Sequence, residues 1–370
     1  MPDPPNYGGV IDVFYKISCL HARGVKVHLH CFTSGREASE KLENLCEEVY
    51  YYRRQTGVLS NLSVLPYTVR SRISPELRKN LLLNDYPILF EVLHTCYLMG
   101  DKAFRQRKKI FRHSNIEHEY YKEIAKSERK PFRKLFHLLE AIKLRRFEKV
   151  LKHASLILAV NQKDCAYFQE NFRHVPTVFL PSFHPNKGVT ALAGRGDYVL
   201  IHGNLAVAEN SEAALWLIRN VLSRERVRTI VAGLNPPEFL SREIRKHAHI
   251  SLEAGPPEQR MNELIGGAHI HLLYTAQPTG LKLKLLNVLF RGRFIITNNN
   301  MLSGTGLFAD ESLRIVKNAE GYRDALRALM HRSFDEPLLA SRKRMIRTFD
   351  NNSNTDLLLE LLFSDRKLQD

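Results

Sequence analysis

Apolar residues recur along this chain with two periods that alternate. From Gly9 to about Arg23, Val10, Val13, Phe14, Ile17 and Leu20 share one face at helical spacing, and Gly24 follows as a C-cap. Residues 25–32 then read as a strand, and 48–52, 109–113 and 155–160 repeat that signal with helical stretches between. A second series has strands at 198–202, 228–232, 269–274, 293–297 and 313–316, with helices such as 211–222 and 258–265 in the gaps, and a closing helix over about 354–363. Strands alternating with helices imply parallel sheets covered on both faces, an α/β class. Between the series, Pro181, Pro185, Gly188, Gly194 and Gly196 crowd residues 176–196, the composition of an interdomain linker. The expected division is 1–182, 183–345 and a C-terminal helix over 346–370 that returns toward the first domain.

The start breaks the pattern. A Gly8-Gly9 turn opening a helix normally follows a strand, yet only seven residues precede it, and they are proline-rich. The expectation is that a first strand is absent from this chain. A fully paired first sheet with no gap beside residues 25–32 would contradict it.

A length of 370 residues suits two domains, and 25% charged residues argue against extensive disorder. No apolar run approaches the roughly 18–20 residues a membrane span needs, and the N-terminus shows no secretory pattern. The five cysteines are unclustered, which speaks against a disulfide framework or a zinc site and for a reducing cytoplasm. The formal net charge of +16 draws anions, whether nucleic acid, anionic lipid or phosphorylated small molecules.

Three stretches carry candidate chemistry. Residues 279–298 read as loop, short helix, Gly292 and strand, with Lys282 and Lys284 at the helix start. Unpaired amides, a partial positive charge and two ammonium groups suit a diphosphate; a solvated helix with exposed lysines fits the same spacing. Residues 112–121 follow the strand at 109–113, where the carboxyl ends of parallel strands gather ligands. His113, Asn115 and Glu117 there are candidate contacts, or else a polar helix start capped by Asn115. In the basic segment 130–152, Phe132, Leu135, Phe136, Leu139, Ile142, Phe147 and Val150 form a helical stripe amid Arg133, Lys134, Lys143, Arg145, Arg146 and Lys149. It is either a surface helix packed by its stripe on the first sheet, or a docking face for anionic membrane or a lipid-diphosphate acceptor. His28 with His30, and His269 with His271, lack a matching ligand set for a metal, and no Asp-x-Asp occurs. No nucleic-acid-binding signature is present, so no nucleic-acid partner is expected.

Gly280, Lys282, Lys284, Leu286, Gly292 and the Ile295-Ile296 strand resemble the donor-domain segment of GT-B glycosyltransferases, particularly the retaining family 4. Val199 to Leu205 with Gly203 and Asn204, then Glu209-Asn210, resemble the opening of that domain; Ile230 to Gly233 resembles its next strand, and Gly304-Thr305-Gly306 the loop after the donor helix. Pro4 to Gly9, with Gly8 and Gly9, resembles the N-terminal glycine loop, and 113–117 an H-x-x-E stretch. The resemblance implies two Rossmann-like doubly wound domains facing across a cleft, the first on the acceptor side and the second binding a nucleotide-sugar donor. It also implies transfer to a glycan or lipid-linked acceptor, with no cofactor or metal and with retention, in the cytoplasm or on the inner face of the membrane, in polysaccharide biosynthesis. His113, Lys282 and Lys284 become the catalytic candidates. Gly8, Gly9, Asn115, Glu117, Gly203, Asn204, Asn210, Gly280, Asn287, Gly304, Thr305 and Gly306 become the binding candidates. Two departures stand out. The family's paired glutamates correspond here to Thr279 and Asn287, and its phosphate-binding lysine after the first donor strand is missing, with Asn210 in that neighbourhood. They leave two alternatives, a non-catalytic binding protein on the same fold or a nucleotide-sugar epimerase.

Overall fold

Short runs rich in aliphatic and aromatic residues form the strands of this protein, and the inner strands of the two larger sheets are buried along their length, as expected of parallel sheets. A computed structural model describes residues 1–5, 8–33, 35, 37–57, 63–128, 130–277 and 282–363. The chain divides between Pro185 and Asn186, and again between Asp350 and Asn351, so that the closing helix Asn351–Phe363 belongs with the first unit.

The second unit is a six-stranded parallel sheet. Its strands are β7 (Val199–His202), β8 (Thr229–Gly233), β9 (Ile250–Ala254), β10 (Ile270–Leu273), β11 (Phe294–Thr297) and β12 (Leu313–Ile315). Their order is β9-β8-β7-β10-β11-β12, the 3-2-1-4-5-6 arrangement of a doubly wound dinucleotide-binding sheet. Val199, Ile201, Val231, Ile270, Leu272, Phe294 and Ile296 point into one core with Leu217, Ile218, Leu326 and Phe334. The direction of winding reverses between β7 and β10, so the loops after these two strands diverge and leave a crevice. At the end of β8, Gly233 lets the loop after β7 approach closely: a Cβ there would lie 1.9 Å from the carbonyl oxygen of Gly203. The β9 strand lies outside the sequence expectation; Ile250-Ser251-Leu252-Glu253 is an edge strand whose polar residues dilute the apolar run.

The first unit holds two parallel ladders. One pairs β1 (His28–Thr33) with β2 (Glu48–Arg53); the other orders β3 (Ile88–Glu91), β4 (Lys109–Arg112), β5 (Leu156–Ala159) and β6 (Thr177–Phe179). Among the described residues no ladder joins β1 to β3. The β6 strand falls inside the stretch read as linker, because three residues before a proline carry too little pattern to register. Helix Gly8–Ala22 is fastened by buried charge. Arg112 on β4 donates to both carboxylate oxygens of Asp12 (3.2 and 3.3 Å) and to the carbonyls of Leu180 and Pro181. The Phe183 amide donates to Asp12 at 2.7 Å, and Lys16 donates to Glu91 at 2.6 Å. Burial alone would raise the Asp12 carboxyl, but the Arg112 guanidinium and the Lys16 ammonium hold it below the usual range. Leu358, Leu361 and Leu362 of the closing helix share a core with Leu20, Ile110 and Leu158, and Arg23 pairs with Asp356.

Candidate functional site

The expected donor residues of the second unit gather at the carboxyl ends of β7, β10 and β11. Helix Leu283–Arg291 opens there with Lys282 as its N-cap; among the described residues no side chain caps it, and no acid sits in its first turn. Its leading amides lack intrahelical acceptors and point the positive end of the helix at the crevice. An apolar face, buried through Leu285, Leu286, Val288, Leu289 and Phe290, roots the helix in the sheet. A buried guanidinium fixes its far end: Arg342 donates to the carbonyls of Leu289 (3.2 Å), Gly292 (3.2 Å) and Arg293 (2.8 Å), and to Ser312 Oγ (2.9 Å).

Lys284 reaches back to the first turn of helix Ala208–Leu217, which follows β7, where its Nζ donates to Asn210 Oδ1 at 3.0 Å. Asn210 in turn donates from Nδ2 to the carbonyl of Asn204 at 3.0 Å, and Asn204 Oδ1 accepts the Ala206 amide at 3.2 Å. Burial lowers the Lys284 ammonium to about 8, Glu209 opposing that shift, and burial lowers Lys282 as well. Glu209 closes the arrangement. Its carboxylate accepts the Thr275 hydroxyl and lies 3.9 Å from Lys282 Nζ. Asn298 holds the loop after β10 by donating to the Thr275 carbonyl at 2.7 Å. His202, at the end of β7, is buried and brought to about 3 by burial and by Lys284, and neither ring nitrogen meets a hydrogen-bond partner among the described residues.

The remaining donor candidates are placed less directly. Gly203 lies in the β7 loop beside Asn210. Gly304 and Gly306 adopt left-handed backbone (φ 75° and 72°) after β11. Between them the Thr305 hydroxyl is turned inward, donating to the Leu302 carbonyl at 2.8 Å and accepting the Leu307 amide. Asn287 accepts from Asn186 Nδ2 at 3.1 Å, and Asn186 accepts from Arg291. Gly280 and Thr279 lie outside the described residues.

In the first unit the structure places His113 in the interior and corrects the expected helix cap. His113 directly follows β4 and has no exposed surface. Its Nε2 lies 3.1 Å from Asp164, its Nδ1 faces the Val160 amide at 3.5 Å, and its ring packs edge-on against Phe168. These contacts hold the ring, and with it the segment after β4, in place. Asn115 does not cap the following helix Glu117–Ser127; the cap position is Ile116, without a side-chain bond. Glu117 opens that helix, and burial pushes its carboxyl up to about 7 against the pull of Arg72. Gly9 stands in the first turn of helix Gly8–Ala22, with Gly8 at its start.

Sequence reasoning missed Glu209, Thr275 and His202 as members of the donor cluster. Glu209 had a signal in its place directly before Asn210; the other two come from separate strands and had none.

Comparison with known proteins adds the following. The chain matches no protein-family model. A protein of Klebsiella pneumoniae described as an uncharacterized 44.6 kDa protein in the cps region is 25% identical over 337 residues, covering 86% of this chain and 85% of its own. Among solved structures, sucrose-phosphate synthase of Thermosynechococcus elongatus superimposes with a TM-score of 0.61 at 14% identity, over 96% of this chain and 90% of that one. HepE of Anabaena, solved with UDP and glucose, gives 0.60 at 10% identity, over 97% and 92%. A UDP-forming trehalose-phosphate synthase of Burkholderia xenovorans, with glucose-6-phosphate, gives 0.60 at 11% identity, over 97% and 96%. The expected GT-B architecture with Rossmann-like domains is therefore the fold this chain adopts.

Proposed function

We propose that this protein is a glycosyltransferase that moves a sugar from a nucleoside-diphosphate sugar to a glycan or lipid-linked acceptor. One observation carries the reading: two lysines and the start of helix Leu283–Arg291 meet at the switch point of a doubly wound sheet. Breaking the glycosidic bond leaves negative charge on the departing diphosphate. Lys282, Lys284 and the helix amides are fixed donors where that charge develops, which is the arrangement that lowers a transition state most. With this charge supplied by the chain, no metal is required in the proposed step, and retention at the anomeric carbon follows the resemblance to family 4. Gly203, Asn204, Asn210, Gly304 and Gly306 shape the donor loops. Asn115 and Glu117 are assigned to the acceptor side, with His113 positioning them. The similar structures solved with UDP support a nucleotide-sugar donor. Residence in the cytoplasm, at the inner face of a membrane, and a role in polysaccharide assembly complete the proposal.

A second reading rests on Glu209. A carboxylate 3.9 Å from Lys282 opposes a diphosphate and suits a protein that binds without transferring. Incubation of the full chain with radiolabelled UDP-, GDP- and ADP-sugars over a panel of glycan and lipid-linked acceptors separates the two. Transfer lost in Lys282→Ala supports the enzyme. Binding without transfer or hydrolysis throughout supports the second reading, and donor conversion without acceptor points to an epimerase.

A further inference from the structure

Helix Pro131–Phe147 is amphipathic in the opposite sense to a surface helix. Its inward face consists of Glu140, Ala141 and Leu144. Glu140 is fully enclosed, accepting the Tyr67 amide at 2.7 Å and Lys143 Nζ at 3.0 Å. Its outward face is apolar: Phe132 is 87% exposed, Leu135 55%, Leu139 49% and Ile142 49%, with Phe136 and Leu138 beside them. Leu135, Leu139 and Ile142 follow one another at i, i+4 and i+7, so they form one continuous stripe. Of the 17 large apolar side chains exposed among the described residues, six belong to this helix. Globular helices bury such a stripe and expose their charges. A contiguous exposed patch of this kind marks an interaction surface.

The charges around the stripe identify the partner. Arg133, Lys134, Arg145 and Arg146 are exposed, and the helix's one acid, Glu140, is buried. The outward face therefore combines apolar surface with cations and no accessible carboxylate. A second copy of the chain would bring like charges together. A helix of 17 residues carrying these charges is also too polar to span a bilayer, and among the described residues no helix is long and apolar enough to do so.

We propose that helix Pro131–Phe147 lies in the surface of an anionic bilayer, with Phe132, Leu135, Leu139 and Ile142 inserted among the acyl chains and the flanking cations on lipid headgroups. It packs on helix Glu117–Ser127, whose first residue belongs to the expected acceptor segment, so docking would bring that segment close to membrane-borne molecules. The inference goes beyond the transfer reaction and stands whether or not transfer is found.

The test is co-sedimentation of the full chain with vesicles of equal parts phosphatidylcholine and phosphatidylglycerol, and with phosphatidylcholine alone. Binding is expected only to the anionic vesicles and should weaken with salt. Leu135→Gln/Leu139→Gln/Ile142→Gln should abolish it. Arg133→Gln/Lys134→Gln/Arg146→Gln should weaken it by roughly tenfold or more. All six side chains are exposed, so melting temperatures should hold. Phe132→Gln alone, at the most exposed position, gives the same reading should the triple variants misfold. A wild-type chain that stays in the supernatant, or apolar variants that sediment as wild type, overturns the proposal. So does a lipid-free dimer that the apolar substitutions dissolve, which would assign the face to a second copy.

Discussion

The ammonium of Lys284 lies 3.0 Å from the side-chain oxygen of Asn210, tying the start of helix Leu283–Arg291 to the start of helix Ala208–Leu217. Burial brings this lysine to about 8, so its charge is lost just above neutral pH. A bound diphosphate restores the charge, so above that pH binding must take up a proton. Affinity for a nucleoside diphosphate should be level up to about pH 8 and then fall by up to roughly tenfold per pH unit. Lys284→Arg, which stays charged, should flatten the profile. Calorimetric titrations across pH check this, and an identical slope in both proteins would exclude Lys284 as the titrating group.

Glu209 competes with an anion for Lys282. Glu209→Gln keeps an acceptor for the Thr275 hydroxyl and removes the charge. Diphosphate binding should tighten by up to roughly fivefold, the range of a partly exposed ion pair. Weaker binding in this variant would show that Glu209 contacts the ligand.

Arg342 holds the helix from the other end. Arg342→Met removes the donor to three carbonyls and leaves them enclosed, at a cost on the order of 3 kcal/mol. The melting temperature and the diphosphate affinity should fall together. An unchanged melting temperature would mean that the helix is fixed by its apolar face alone.

Glu117 makes stability depend on pH. Its folded-state carboxyl is raised to about 7, so the stability it contributes is full below its ordinary value of 4.5 and is lost as pH rises through 7. Glu117→Gln should be the more stable protein above that range, by up to roughly 3 kcal/mol. Denaturation at acidic and alkaline pH tests this, and equal pH dependence in both proteins would contradict it.

Much of the second unit was legible because β7, β8, β10 and β11 are mostly apolar runs buried along their whole length. The three-residue β6 and the diluted edge strand β9 offered no such run. Lys282 and Lys284 could be read because they sit directly before an apolar helix. Glu209 and Thr275 could not be joined to them, since 66 residues separate that pair and only the sheet order brings them together. The enclosure of His113 was hidden likewise, because its partner Asp164 comes from helix Gln162–Asn171 after the next strand. For helix Pro131–Phe147 the periodicity told which residues share a face. The direction of that face depends on Glu140 being anchored to the Tyr67 amide, and sequence spacing carries no such information.

The central claim is that Lys282 and Lys284 receive a nucleoside diphosphate. Thermal stabilisation of the full chain by UDP, GDP and ADP tests it most directly, because a ligand that binds only the folded state raises the melting temperature. A clear rise with one diphosphate, absent in Lys282→Ala/Lys284→Ala of unchanged intrinsic stability, is the predicted result. A rise of equal size in that variant, or no rise with any of the three on folded protein, would contradict the account.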